Sequence, residues 1–283
     1  MRTVHSIADV RAAVATWKHN NDSIALVPTM GNLHSGHLQL VKAASEQHSK
    51  TVVSVFVNPL QFGPDEDFDA YPRTLDADAE ALRQVDADLV FAPSVAEMYP
   101  TGQSAHVEVK LPSLANLLCG EHRPGHFDGV GTVVLKLFNI VQPHAAFFGE
   151  KDFQQLLLIK TITRQLDLPI EVYGVPTVRA DDGLALSSRN QYLTRAERAT
   201  APLLQATLQS IAEALAAGAT NYEQLASDGL DKLREAGFDP DYIDIRNADT
   251  LAPPDAASHN LRILAAARLG GARLIDNIGA SRQ

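Results

Sequence analysis

Two histidines three residues apart, His34 and His37, stand in the stretch VPTMGNLHSGHLQLV at residues 27–41, with Gly31 before them and Gly36 between them. An apolar run lies on either side. Side chains at i and i+3 share one face of a helical turn. A helix start presents unpaired N–H groups and the positive end of the macrodipole, which favour an anion. Glycines let the backbone approach such a ligand closely. The chemistry this suggests is phosphate handling, with both rings within reach of phosphate oxygens. A positive helix end lowers a histidine pKa, so the rings are expected to be neutral donors. Two other readings stay open: surface histidines that happen to begin a helix, and part of a zinc site. Ser35 stands where helical zinc motifs carry an acidic residue, and no third ligand is obvious.

Two more stretches carry suitable groups. FFGEKDFQQ, residues 147–155, runs from a strand-like to a helix-like pattern with Lys151 and Asp152 at the junction. A lysine there can lie along a phosphate, and an aspartate can cap the helix. The alternative is a solvated lysine beside a capping acid. LALSSRNQYL, residues 184–193, places Ser187, Ser188 and Arg189 in a loop. Such a loop can close over a triphosphate and offer donors to developing negative charge, or it can be a plain polar turn. Cys119 is the single cysteine. That excludes a disulfide within the chain, and the simplest reading is that it packs.

These residues need elements to hold them. Residues 23–30 read as a buried strand and 37–47 as an amphipathic helix. The β-branched run at 51–58 reads as a second buried strand. A long polar loop follows over 58–73, then a helix at 75–85 and a strand at 88–93. Further on come a buried helix at 129–141, a strand at 145–149, a helix at 152–166 and a strand at 169–176. Strands alternating with helices predict a parallel sheet covered on both faces. Beyond Pro176 the pattern changes to a hairpin-like loop, two Ala/Leu-rich helices near 195–217 and 222–236, and three strands with a Gly270–Gly271 turn. The expected fold is α/β: a Rossmann-like parallel-sheet N-terminal domain, residues 1–176, with a smaller α+β C-terminal domain, residues 177–283.

The 283 residues suffice for a well-buried core, and the composition, 45% hydrophobic and 20% charged, is that of a globular protein. The formal net charge is −10, without a Lys/Arg block. That argues against nucleic-acid and membrane partners, so an anionic ligand must be held by local groups. No apolar run reaches membrane-span length and the N-terminus lacks a signal-peptide core, which makes a cytoplasmic protein the expectation.

PTMGNLHSGHLQLV resembles the HxGH signature of the nucleotidyltransferase superfamily that includes class I aminoacyl-tRNA synthetases, and SSRN resembles their KMSKS-type loop. VPTMG, FVNPLQF, YPRTL, RPGHFDGV, GEKDFQQ and LALSSRN, in this order from residue 27 to 190, resemble the pantoate–β-alanine ligase (pantothenate synthetase) family. The resemblance implies condensation of ATP, (R)-pantoate and β-alanine through a pantoyl adenylate, with magnesium, in a homodimer.

Carried over by motif, it implies an ATP site lined by Met30, Gly31, Asn32, Leu33, His34, Ser35, Gly36 and His37, with His37 as proton donor. Gly149, Glu150, Lys151 and Asp152 would hold the nucleotide, and Val178 would contact the adenine side by its backbone. Leu186, Ser187, Ser188 and Arg189 would close over the phosphates. Gln61 would contact pantoate and β-alanine, and Gln155 pantoate, with Asn58 and Arg123 contributing. Neutral amides suit a carboxylate that must itself attack, because a bidentate arginine would quench it. Pro28, Met30 and Phe62 are candidates for the apolar wall that a gem-dimethyl group needs. Asp76 and Asp78 are candidate magnesium ligands, although phosphates and water can carry the ion. The loop 58–73 and the SSRN loop are candidate lids. Ser35 departs from the glutamate usual in the family signature. Competing readings are another adenylyltransferase on this fold and a non-catalytic nucleotide-binding protein.

Overall fold

The structure, a computed structural model, describes residues 1–64, 66–102, 105–111, 114–255 and 257–282. Six strands form one parallel sheet: β1 (Arg2–Val4), β2 (Ile24–Thr29), β3 (Lys50–Val55), β4 (Leu89–Phe91), β5 (Ala145–Gly149) and β6 (Glu171–Val175), in the order β1-β4-β3-β2-β5-β6. β2 is central and pairs with β3 on one side and β5 on the other. From Ile24 to Val27 it is fully buried, as a strand covered on both faces must be. After β4 the chain crosses to the other side of β2. In open parallel sheets, ligands bind at such a reversal of winding, beyond the carboxyl ends of the strands. The core on one face joins Ala25, Val27 and Val53 to Leu40, Val41 and Ala44 of the helix Ser35–Gln47.

The chain packs as two compact units, one of Met1–Glu150 with Leu158–Pro176, the other of Lys151–Leu157 with the chain from Thr177 onward. The segment Lys151–Leu157, which the sequence assigns to the first domain, therefore belongs with the second unit. Its ties there are physical: the Arg262 guanidinium lies 4.1 Å over the Phe153 ring, and Asn277 donates to the Lys151 carbonyl. The second unit is a three-stranded antiparallel sheet, β7 (Asp239–Asn247), β8 (Asn260–Leu269) and β9 (Ala272–Ser281), packed against the helices Leu203–Ala216 and Tyr222–Glu235. Leu208, Ile211, Leu233, Ile263 and Leu274 form its core.

Several boundaries shift for local reasons. The helix expected from residue 37 begins at Ser35, because His34 is its N-cap. The strand expected to reach Asn58 ends at Val55, because Asn58 caps a 3₁₀ turn, Pro59–Gln61. The helix expected over 195–217 is two, Arg195–Thr200 and Leu203–Ala216, broken at Pro202, which has no N–H to continue the ladder. β1 and the helix Ile7–His19 are absent from the sequence expectation. β1 has three residues, too few to show a period, but Ser6 caps that helix by accepting from the Asp9 N–H at 3.1 Å. That Ser-x-x-Asp spacing is a readable start signal.

Candidate functional site

The turn after β2 is built before any side chain can act on a ligand. Gly31 has φ +84°, and a Cβ there would lie 3.0 Å from an Asp78 carboxylate oxygen. Asn32 follows at φ 51°, also in the left-handed region. The two Asp78 oxygens accept from Asn32 N–H at 3.0 Å and Leu33 N–H at 2.8 Å, and the Thr74 hydroxyl donates at 3.1 Å. Asp78 is only 3% exposed. It thus braces the turn, and its oxygens face N–H and O–H donors, which speaks against the magnesium role for which it was a candidate. Asp76 is exposed on the first turn of the helix Leu75–Arg83. Among the described residues, no group of three His, Cys, Asp or Glu is arranged to hold a metal ion.

The two histidines then cap the helix with each other. His34 Nδ1 accepts from the Gly36 N–H at 3.1 Å, and His37 Nδ1 accepts from the His34 N–H at 3.3 Å. Their ring centroids are 4.1 Å apart. A nitrogen that accepts from a backbone N–H carries no proton, so each neutral ring bears its proton on Nε2. The expected shared face is present, and the geometry fixes one tautomer on it. Two polarised Nε2–H donors at a helix start suit anionic oxygens. Ser35 is exposed on the same turn.

Gln61 belongs to a second network of the same unit. Its Oε1 accepts from Asn58 Nδ2 at 3.1 Å, and its Nε2 points at the Met30 sulfur at 3.1 Å. Asn58, 1% exposed, also donates to the Gly129 carbonyl at 3.2 Å, while its own carbonyl accepts from the Tyr99 hydroxyl at 2.8 Å and the Leu60 N–H at 3.4 Å. Its amide is saturated by the protein, and one of those bonds positions Gln61. Burial pushes the Tyr99 phenol pKa up, which keeps it a donor. Gly129 permits this closeness: a Cβ there would sit 2.2 Å from the Leu60 carbonyl oxygen.

Arg123 closes on the same turn. It grips Glu66 in a bidentate pair at 2.6 and 2.5 Å and donates to the Gln61 carbonyl at 3.4 Å. His126 Nδ1 lies 2.7 Å from that carbonyl and its Nε2 lies 3.0 Å from Arg123. The only tautomer serving both contacts has the proton on Nδ1. Burial raises the Glu66 carboxyl pKa, yet hydrogen bonds and charge from Arg123 outweigh it and hold the group below its ordinary range. The guanidinium fork, expected near the substrate, is thus filled by Glu66. Phe62 stacks edge-on against Phe68 and Tyr71, an apolar cluster beside this turn.

In the second unit, Lys151 lies in the 3₁₀ turn Glu150–Asp152 with its side chain 18% exposed, and its Nζ is 3.9 Å from the Asp152 carboxylate. A cleft of this unit has Lys151, Ser187, Asn190 and Asp276 among its lining residues. The loop is closed by the Leu186 N–H donating to the Val178 carbonyl at 3.0 Å and by an Arg179–Ala185 bridge. Ser187 caps the turn Ser188–Tyr192 through the Arg189 N–H at 3.2 Å. The second unit therefore brings Lys151 and Ser187 to one cleft, with Val178, Leu186, Ser188 and Arg189 on the loop beside it. Gln155 is half-buried on the helix Phe153–Gln165. Gly149 ends β5 paired with Val175 of the first unit.

Sequence reasoning misses the groups that hold these ones. Glu66, Tyr99 and His126 do not stand out in it, and neither do Arg179, Arg262, Asp276 and Asn277. The last two have a signal: an Asp-Asn pair inside the apolar strand LIDNI is costly to bury without partners.

The whole chain has known relatives. A sequence profile of the pantoate-beta-alanine ligase family matches residues 2–279. A pantothenate synthetase of Stutzerimonas stutzeri strain A1501 is 56% identical over 278 residues, which cover 98% of this chain and 97% of that protein. The crystal structure of pantothenate synthetase from Thermus thermophilus superposes with a TM-score of 0.91 at 46% identity, covering 98% of this chain and 99% of that one. The pantoate-beta-alanine ligase of Francisella tularensis, crystallised in complex with beta-gamma ATP and beta-alanine, superposes with a TM-score of 0.82 at 33% identity, covering 98% and 97%.

Proposed function

This chain belongs to the pantoate–beta-alanine ligase family, and on that premise we propose that it condenses (R)-pantoate with β-alanine to give pantothenate, AMP and diphosphate. The pantoate carboxylate attacks the α-phosphorus of ATP. The bond to the bridging oxygen breaks and diphosphate leaves. The β-alanine amine then attacks the acyl carbon of pantoyl adenylate, loses a proton, and AMP departs. The observation that carries this reading is the reciprocal histidine cap beyond the carboxyl end of β2, in a chain matched over nearly its full length to the family.

The residues divide the work by chemistry. Charge builds on phosphate oxygens and on departing diphosphate, so donors must already face them. The Nε2–H groups of His34 and His37 serve that need in the first unit, with His37 donating to the leaving oxygen. Lys151, Ser187, Ser188 and Arg189 serve it in the second, and Gly149, Glu150, Asp152, Val178 and Leu186 shape the nucleotide's surroundings. Gln61 and Gln155 orient pantoate without neutralising its carboxylate, and Pro28, Met30 and Phe62 offer its methyl groups an apolar wall. On this reading the C-terminal domain supplies the loop that excludes water from the adenylate.

Magnesium, the family's usual ion, fits neither of the candidate carboxylates. Asp78 is committed to backbone donors and Asp76 stands exposed. The ion is therefore assigned to the nucleotide phosphates and water, and no step here is routed through it. The chain is further proposed to act in the cytoplasm as a homodimer; light scattering that gives one chain mass at micromolar concentration would remove the dimer. No helix among the described residues is long and apolar enough to cross a membrane.

The test is ATP–diphosphate exchange with pantoate present and β-alanine absent. Pantoate-dependent exchange is the expected result. Exchange without a pantoate requirement would favour a different adenylyltransferase. ATP binding with neither exchange nor pantothenate formation would leave a nucleotide-binding protein.

A further inference from the structure

The C-terminal hairpin reaches both phosphate-directed segments of the second unit through two successive residues of β9. Asn277 donates from Nδ2 to the Lys151 carbonyl at 2.8 Å, and its Oδ1 accepts from Arg262 Nε at 2.6 Å. Asp276 takes both arms of Arg179 at 2.6 and 2.8 Å, and Arg179 also donates to the Gly183 carbonyl at 3.0 Å, in the loop that leads to Ser187. Asn277 is 3% exposed.

We propose that Asn277 is a positioning residue for adenylate formation, acting through the backbone of Lys151. The inference rests on the reading that Lys151 faces the nucleotide phosphates. Two neighbours make opposite demands at this spot. The Lys151 carbonyl needs a donor and the Arg262 Nε–H needs an acceptor. A carboxamide meets both and a carboxylate meets only one. The hairpin itself does not need this side chain, since β8 and β9 are paired by backbone from Asn260↔Ser281 to Leu269↔Ala272. Arg262 lies over the Phe153 ring, two residues beyond Lys151, so the amide and the guanidinium both tie this segment. The turn sets where Nζ points. A displacement of about 1 Å in a catalytic donor costs about 10²-fold in rate.

Asn277→Asp tests this, because it keeps the shape and an acceptor for Arg262 while putting a carboxylate oxygen in place of the donor to the Lys151 carbonyl. Single-turnover formation of the acyl adenylate from ATP and pantoate gives a rate and an amplitude. The expected result is a rate lower by about 10²-fold at full amplitude, with an unchanged KM for pantoate and a melting temperature near that of the unaltered enzyme. Lys151→Met is measured in parallel. A slow Lys151→Met beside an Asn277→Asp of unaltered rate would overturn the positioning role alone. A Lys151→Met of unaltered rate would overturn the assignment of Lys151 and this inference with it. An Asn277→Asp that loses amplitude but not rate would mark a merely structural contact. Should Asn277→Asp fail to accumulate, Arg262→Met keeps a stem over Phe153 but releases the amide. It is expected to slow the same step by a smaller factor, and an unaltered rate there would also overturn the proposal.

Discussion

The turn bearing His34 and His37 and the turn bearing Lys151 offer the same thing, donors for anionic oxygens, yet they are held in different ways. The first is held from nearby. The histidines cap one another across three residues, and Asp78 takes the Asn32 and Leu33 N–H groups from 46 and 45 residues away on the next helix of the same sheet. The second is held from 126 residues away, by an amide on β9. A local cap fixes a tautomer as well as a position, because the backbone donors choose which ring nitrogen carries the proton. A distant tie fixes only a position, and a lysine, with three equivalent donors, needs no more.

The largest expected effect attacks the local arrangement at its reactive end. His37→Ala should lower pantoate-dependent ATP–diphosphate exchange by about 10²–10³-fold, the usual loss for one preorganised donor. A loss confined to the KM for ATP would mean that the ring only binds. Next, Asp78→Ala strips three donors of their acceptor in a buried place and should cost at least about 2 kcal/mol in urea unfolding. The cost should be equal with magnesium and with EDTA; a loss seen only in magnesium would return Asp78 to the role of ligand. Gly129→Ala drives a Cβ toward the Leu60 carbonyl and should cost about 1–3 kcal/mol, with a raised KM for pantoate as Gln61 shifts. An unchanged KM would separate Gln61 from pantoate.

The smallest effect is a pH effect on Glu66. Its folded pKa lies below the ordinary 4.5, with Arg123 outweighing burial. A depressed carboxylate gives stability that is present above its unfolded pKa and lost as pH falls through the folded one. Glu66→Gln should therefore be less stable than the unaltered chain at neutral pH, and the gap should narrow on acidification below about pH 4.5. A gap that widened in acid would put the Glu66–Arg123 pair in the wrong protonation state.

Much of the first turn is legible because its causes are close in sequence. Strand, glycine, histidine pair and helix follow one another within fifteen residues of VPTMGNLHSGHLQLV, and each leaves its mark on the pattern. The parallel sheet is legible for the same reason, since β-branched runs alternate with helical periods. The sequence does not show that Asp78 is a brace. An aspartate early in a helix looks alike whether it meets a metal, water or a distant N–H. Nor does it show that Glu66 fills the fork of Arg123, or that Lys151–Leu157 packs with the C-terminal unit. Those facts depend on pairings between residues far apart in the chain, and no periodicity records them.

The span of the bond from Asn277 to Lys151 also carries a timetable. A chain emerging from the ribosome folds from its N-terminal side as residues become available. Once the helix Leu75–Arg83 is out, the reciprocal histidine cap and its Asp78 brace all have their residues. The Lys151 turn must wait for β9, more than a hundred residues later. A nascent chain would thus hold the residues of its histidine cap and an untied lysine until β9 had been translated. Premature termination just before β9 should give a protein whose first sheet is intact and whose adenylating step is silent.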